Sequence, residues 1–320
     1  MRPQVNLSRS TTSRMWLVSL AAFMAIVQSS ISDSFLSLII AVTTIIVAFF
    51  CEFIVYFRTE KAAMLRDGSA VTSALVLTLM LPNHINPIYA AIGVVFAMIV
   101  VKYSFGGLGT NWLNPALGGW LFIRFSWQSA YEQALASTTV PKNEIIAGII
   151  SDFLNKTVFS TFGAELPDSY ITLFNATGAN IIADRGVMAL LLGTILMLAS
   201  QVSRAWVPIV YLGVYGLLIR LFGALPAGGG FGNGDILGGF LSGGTLVAAF
   251  FLVTEPVTGP KSIWGALSAA FIAAVFTFTF RYQGGEAYGA FFAVALLNVL
   301  VPMVRGIERR TLYTKRGIVL

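Results

Sequence analysis

The chain has 320 residues, 57% hydrophobic and 11% charged, with 20 Lys and Arg against 14 Asp and Glu. Soluble domains average about 45–50% apolar and about 25% charged, so a soluble globular domain and a disordered chain are both excluded. A mean hydropathy of +0.81 points instead to a polytopic membrane protein.

The net charge of +6 is no nucleic-acid footprint, because the basic residues lie in short loops and at the chain ends, where topology signals lie. A single cysteine, Cys51, excludes an intrachain disulfide and a Cys-ligated iron–sulfur cluster built by this chain alone. The lone His84 cannot make a His-rich metal site.

About 20 mostly apolar residues cross the hydrocarbon core as a helix. Ten segments are predicted as spans: 15–32, 35–57, 68–82, 86–104, 112–126, 186–200, 206–222, 237–255, 262–280 and 286–304. The opening MRPQVNLSRSTTSR is basic, and no small-residue cleavage site follows the first apolar run, so an uncleaved first span is expected. With the N-terminus inside, fourteen of the twenty Lys and Arg face the cytoplasm. The positive-inside rule selects that orientation, with both termini cytoplasmic and a basic tail at 306–320. The long connection 127–185 falls outside and reads as a polar loop with one apolar stretch at 145–150.

The chain also repeats itself. GSAVTSALVLTLMLP (68–82) and SGGTLVAAFFLVTEP (242–256) share small residues, an apolar run and a final Pro. KYSFGG (102–107) and RYQGG (281–285) then place a basic-Tyr pair before Gly-Gly. One repeat covers spans one to five (1–126) and the other spans six to ten (186–305). An odd number of spans per repeat forces opposite orientations, the inverted architecture of many transport folds, with sites near the midplane between repeats.

Ionisable groups inside apolar spans are costly and are functional candidates. Glu52 lies in AFFCEFIVYF and calls for a partner or a polar cavity. Glu255 ends span eight beside Pro256, where a structural turn is an equal reading. Lys102 ends span four and is expected to snorkel to the interface. The Gly-rich stretches 105–119 and 223–239 suit either anion-binding backbone nests or close helix packing. No Walker, dinucleotide, HExxH, CxxC or Ser/His/Asp pattern occurs, so a hydrolase has no support.

Three motifs together, DGSAVTSALVLTLMLP (67–82), FGGLGTNWLNPALGGWLF (105–122) and LSGGTLVAAFFLVTEPVTGPK (241–261), resemble the D subunits of the Rnf complex. Those subunits are related to the B subunits of the sodium-translocating NADH:quinone oxidoreductase. The resemblance runs over roughly 15–305 and implies an all-α, ten-helix fold akin to urea channels. It further implies electron transfer between ferredoxin and NAD coupled to Na⁺ or H⁺ translocation, in a bacterial or archaeal cytoplasmic membrane, with the other Rnf subunits as partners.

In that family a flavin phosphate is esterified to a threonine in an outside loop, in a motif resembling Asp-x-x-Ser/Thr-Gly-Ala-Thr. The matching stretch is LFNATGANIIADRG (173–186), in which Thr177, Gly178 and Ala179 match. The acceptor position is Asn180, which has no hydroxyl, and Phe174 stands where the motif has Asp. The expectation is FMN held without a covalent bond beside Thr177–Asn180, or absent, with riboflavin as a further candidate. Two other readings are kept: a passive small-solute channel, which the inverted repeat and Gly-rich spans fit equally well, and a scaffold subunit whose flavin site has decayed.

Overall fold

The computed structural model describes residues 10–33, 35–59, 67–107, 109–137, 156–157, 180–202 and 204–315. Thr177, Gly178 and Ala179 lie outside the described residues; Asn180 is among them. Regular structure in the described residues is helical, with one isolated antiparallel bridge, Pro82 to Ile181, and no strand.

The first part of the chain holds α1 (Thr11–Ser32), α2 (Leu36–Thr59), α3 (Ser69–Leu79), α4 (Pro87–Val95), α5 (Pro115–Ser126) and α6 (Gln128–Ala136). After α4 the helix widens into a π-helical stretch, Phe96–Tyr103. The second part holds α7 (Ile182–Arg185), α8 (Val187–Ala199), α9 (Trp206–Phe222), α10 (Ile236–Leu241), α11 (Thr245–Val247), α12 (Ile263–Phe278) and α13 (Gly289–Lys315). Two more π-helical stretches extend α11 over Ala248–Leu252 and α12 over Thr279–Gln283.

Among the described residues, four helices are long and apolar enough to cross a membrane: Thr11–Ser32, Leu36–Phe57, Ile263–Gln283 and Gly289–Glu308. The other predicted spans are shorter. The 11 residues of α3 rise only about 16 Å, half of a bilayer core of about 30 Å. The segment expected as one span over 237–255 is two helical pieces, α10 and α11 with its π-helical extension, because the chain leaves the helix at Ser242 and restarts after two glycines of positive φ. The connection expected as loop from 127 contains α6, which Tyr131 pins to the interior. Its hydroxyl accepts from Trp120 Nε1 at 2.9 Å and donates to the Met80 carbonyl at 3.3 Å.

Packing follows membrane logic. The buried face of α1 is Ser19, Ala21, Ala22, Ala25, Ile26, Ser29 and Ser30, while Trp16, Leu20, Phe23 and Ile31 point outward. Lipid offers apolar surroundings to the large residues, and small residues let helices approach closely. That face brings α1 against α3 and α8, so the first helices of the two parts touch. α9, α12 and α13 form a second group, joined to the first through α5 and α13.

Both short helices start from a left-handed glycine, Gly68 (φ 75°) before α3 and Gly244 (φ 67°) before α11. An L side chain in that region is strained by roughly 1–2 kcal/mol. A Cβ on Gly244 would also sit 2.2 Å from the ring of Phe291, which is fully buried; on Gly68 it would meet the half-exposed Trp16 at 3.0 Å. Gly244→Ala should therefore cost about 2–4 kcal/mol, and Gly68→Ala about half of that. Thermal unfolding in detergent checks the order, and equal losses would refute the packing argument.

Candidate functional site

A cavity of about 400 Å³ lies where α1, α3, the end of α4, the start of α5 and the α11 turn converge. Its polar lining includes Ser69, Thr72, Ser73, Lys102, Asn111, Asn114 and Glu255; Met15, Val18, Val76, Phe250 and Phe251 supply apolar wall. Each element delivers its share for a local reason. Ser69, Thr72, Ser73 and Val76 follow the i, i+3, i+4, i+7 spacing of one helical face. The hydroxyls on that face are satisfied by backbone carbonyls or by other hydroxyls: Ser73 donates to Ser69 O at 2.9 Å, and Thr72 pairs with Ser19 at 2.9 Å.

Asn114 caps α5. Its Oδ1 accepts from the Leu117 N–H at 3.2 Å, and Pro115 occupies the first helical position, where a missing N–H costs nothing. The cap leaves the amide nitrogen free to donate to Glu255 Oε2 at 2.5 Å. Thr258 donates to the same oxygen at 3.0 Å. Glu255 thus does both things the sequence left open: it organises the turn after α11 and lines the cavity. Asn111, with its amide oriented to satisfy its surroundings, donates to Gly107 O at 2.8 Å and Lys102 O at 3.3 Å, tying the Gly-rich turn to the end of α4.

Glu52 does not line the cavity; it stands one contact behind it. It is 2% exposed and accepts from Lys102 Nζ at 3.3 Å and from the Tyr103 hydroxyl at 2.6 Å. Lys102 does not snorkel. It is 2% exposed, and its ammonium also donates to Ser69 Oγ at 2.7 Å. The expectation failed because it treated the lysine alone. With a carboxylate and a hydroxyl waiting on α2 and α3, the ammonium is better held inside than at the interface. Basic side chains gather near the cavity, with Arg14 and Lys261 in its lining. Burial, reinforced by Arg305 and Arg204 nearby, draws Lys261 below the ordinary lysine range.

Asn180 is not among the residues that line this cavity. Its carbonyl accepts from Asn83 N at 3.3 Å, and Ile182 N donates to Leu81 O at 3.0 Å, so this segment pairs with the chain leaving α3. Four residues on, Asp184 accepts from the N–H groups of Gly243 (2.9 Å) and Gly244 (3.0 Å). Arg185 pairs with Asp33 at 3.2 Å, and Asp33 also meets His84 at 2.9 Å. The segment 180–185 therefore straps the end of α3 to the start of α11. Sequence reasoning missed these partners. The signal it had was Asp184 and Arg185 standing side by side next to an apolar span.

Helices too short to cross, turned around glycines and prolines, with a polar cavity between helix groups, define a multi-helix integral membrane protein. A family model described as the NQR2, RnfD, RnfE family matches residues 1–314, and the chain belongs to that family. It is 29% identical over 306 residues to the D subunit of the proton-translocating ferredoxin:NAD(+) oxidoreductase complex of Clostridium ljungdahlii, covering 94% of this chain and 91% of that one. It is 25% identical over 315 residues to the Na(+)-translocating counterpart of Acetobacterium woodii, covering 97% and 93%. It is 27% identical over 335 residues to the D subunit of the ion-translocating oxidoreductase complex of Vibrio atlanticus, covering 94% of each.

Removing one member of the buried ion pair strands the other. Lys102→Met should cost about 3–5 kcal/mol of stability. Lys102→Met combined with Glu52→Gln should recover most of it, since the Tyr103 hydroxyl can still donate to the amide oxygen. Thermal unfolding of the single and double variants in detergent reads this directly.

Proposed function

We propose that this chain is the D-type membrane subunit of an ion-translocating ferredoxin:NAD complex and carries electrons within it by flavin. Family membership over almost the whole chain, and curated relatives that are D subunits of such complexes, support the subunit assignment and its partnership with the other subunits. The observation that carries the flavin role is the cavity. Its volume is in the range of pockets that bury a drug-sized ligand, its walls are largely apolar, and a few convergent amides and hydroxyls can fix an orientation. Asn111, Asn114, Ser69 and Lys102 would hold the hydrogen-bonding edge of an isoalloxazine, and Phe250, Phe251 and Val76 its apolar body. The chemistry supplied by a bound flavin is the acceptance and release of electrons. No phosphate is needed for this fit, and riboflavin is the form it favours.

A second flavin, FMN, belongs at Thr177–Asn180 and is held without a covalent bond. An ester needs a hydroxyl oxygen, and Asn180 has an amide. That amide can hydrogen-bond a phosphate or a ring carbonyl.

The architecture supporting this reading is ten membrane segments in two inverted sets of five, with both termini cytoplasmic. Matching features recur in the two halves: a short helix started by a left-handed glycine, then a longer helix ending in a π-helical stretch with a basic-Tyr pair. In each half the basic residue donates to the first hydroxyl of the short helix, Lys102 to Ser69 at 2.7 Å and Arg281 to Thr245 at 2.8 Å. The distribution of Lys and Arg then puts the cavity toward the cytoplasm and Asn180 toward the outside.

Three measurements test the proposal. Reporter fusions at Leu320 and near Lys142 should report opposite sides; a common side sinks the orientation. On a denaturing gel the subunit from a flavin-containing complex should be dark. A fluorescent band with FMN mass on the peptide containing Thr177 overturns the non-covalent site. With the flavin transferase co-expressed, Phe174→Asp with Asn180→Thr should be labelled more strongly than Asn180→Thr alone.

A further inference from the structure

Lys102 brings a buried charge to the wall of the cavity. Lys102 has three ammonium protons, and two are used, on Glu52 (3.3 Å) and Ser69 (2.7 Å). The ammonium also lies 4.9 Å from the centre of the Tyr103 ring, and the residue lines the cavity. Its counterpart behaves differently. Arg281 donates to Tyr215 (2.7 Å), Gly239 O (2.7 Å), Thr245 (2.8 Å) and Ser242 (2.9 Å), and it does not line this cavity. Holding the start of a short helix therefore takes a basic residue saturated by acceptors. At the equivalent place beside α3 the chain has a shorter side chain, a buried carboxylate behind it and an open space in front.

Glu52 is held as an acceptor by two donors, so it faces Lys102 and not the cavity. Of this buried pair the cavity meets only the ammonium, alongside Arg14, Lys261 and Glu255, which also line it. Desolvation on both sides, with Lys102 and Glu52 each 2% exposed, strengthens its field compared with a surface lysine. A ligand that gains negative charge on reduction is then held more tightly reduced than oxidised, and its midpoint potential rises.

We infer that Lys102, backed by Glu52, is the positioning residue that sets the charge of the cavity and raises the potential of a heteroaromatic redox ligand bound there. This rests on the flavin reading of the cavity given above.

The test uses the purified complex, with flavin content measured by extraction and the potential by spectroelectrochemistry. Lys102→Met with Glu52→Gln removes both charges without stranding either. It should lower flavin content only in part, since Asn111, Asn114 and Ser69 remain, and the flavin retained should bind in the reduced form at least tenfold less tightly relative to the oxidised form, a drop of about 30 mV for a two-electron couple. Glu52→Gln alone leaves the ammonium uncompensated and should move the potential upward. Opposite signs are the mark of charge. Shifts in one direction for both variants, or an unmoved potential in the double variant, overturn the role of Lys102. A separate arm fills the cavity with Ser73→Phe. If that variant keeps its full flavin content, the flavin reading of the cavity fails, and the inference with it. If it loses one flavin while the double variant keeps an unmoved potential, only the inference about Lys102 fails.

Discussion

A helix that stops inside the protein leaves backbone N–H and C=O groups that lipid cannot satisfy, and each unpaired group in hydrocarbon costs several kcal/mol. Two short helices, α3 and α11, impose this constraint, and the surrounding structure answers it. At the start of α3, Asp67 accepts from Ser69 N at 2.8 Å. At its end, the Met80 and Leu81 carbonyls accept from the Tyr131 hydroxyl and from Ile182 N. At the start of α11, both oxygens of Asp184 take the glycine N–H groups. Remove these partners and neither short helix has a reason to stay where it is.

The answer to that constraint brings charge into the interior, and charge must then be balanced. Asp33 serves Arg185 and His84 on one side, and Glu52 serves Lys102 on the other. Each pair sits where a short helix meets a longer one, so the same residues that complete the backbone also fix the shape of the space between the helices. The cavity follows from this arrangement. It exists because α3 presents hydroxyls and small residues instead of bulk, and because Asn114 reaches across to Glu255 instead of filling the gap.

The segment after Asn180 has a double attachment. It pairs with the chain leaving α3 through backbone bonds and with α11 through Asp184. The polar cavity, reached from the same short helices, lies at their other side.

Much of this was legible in the sequence. Composition alone gave the membrane class, because apolar excess and scarce charge have no other folded solution. The three motifs together pointed to the family, and the paired Pro-terminated runs marked the two segments that correspond between the halves. The sequence also exposed Glu52 as a group needing a partner, from its position between apolar neighbours. It did not reveal that the partner was Lys102, 50 positions away on another helix, and so it sent Lys102 to the interface. It read 237–255 as one span because hydropathy sums side chains and cannot see two glycines adopting positive φ in the middle. It read 128–136 as loop because the reason for α6 is the burial of Tyr131 against Trp120 and Met80, a tertiary contact. Hydrophobicity and turn chemistry are local and are written along the chain. Which buried charge finds which partner, and what space they leave between them, depends on helices distant in sequence meeting, and only the tertiary structure decides it.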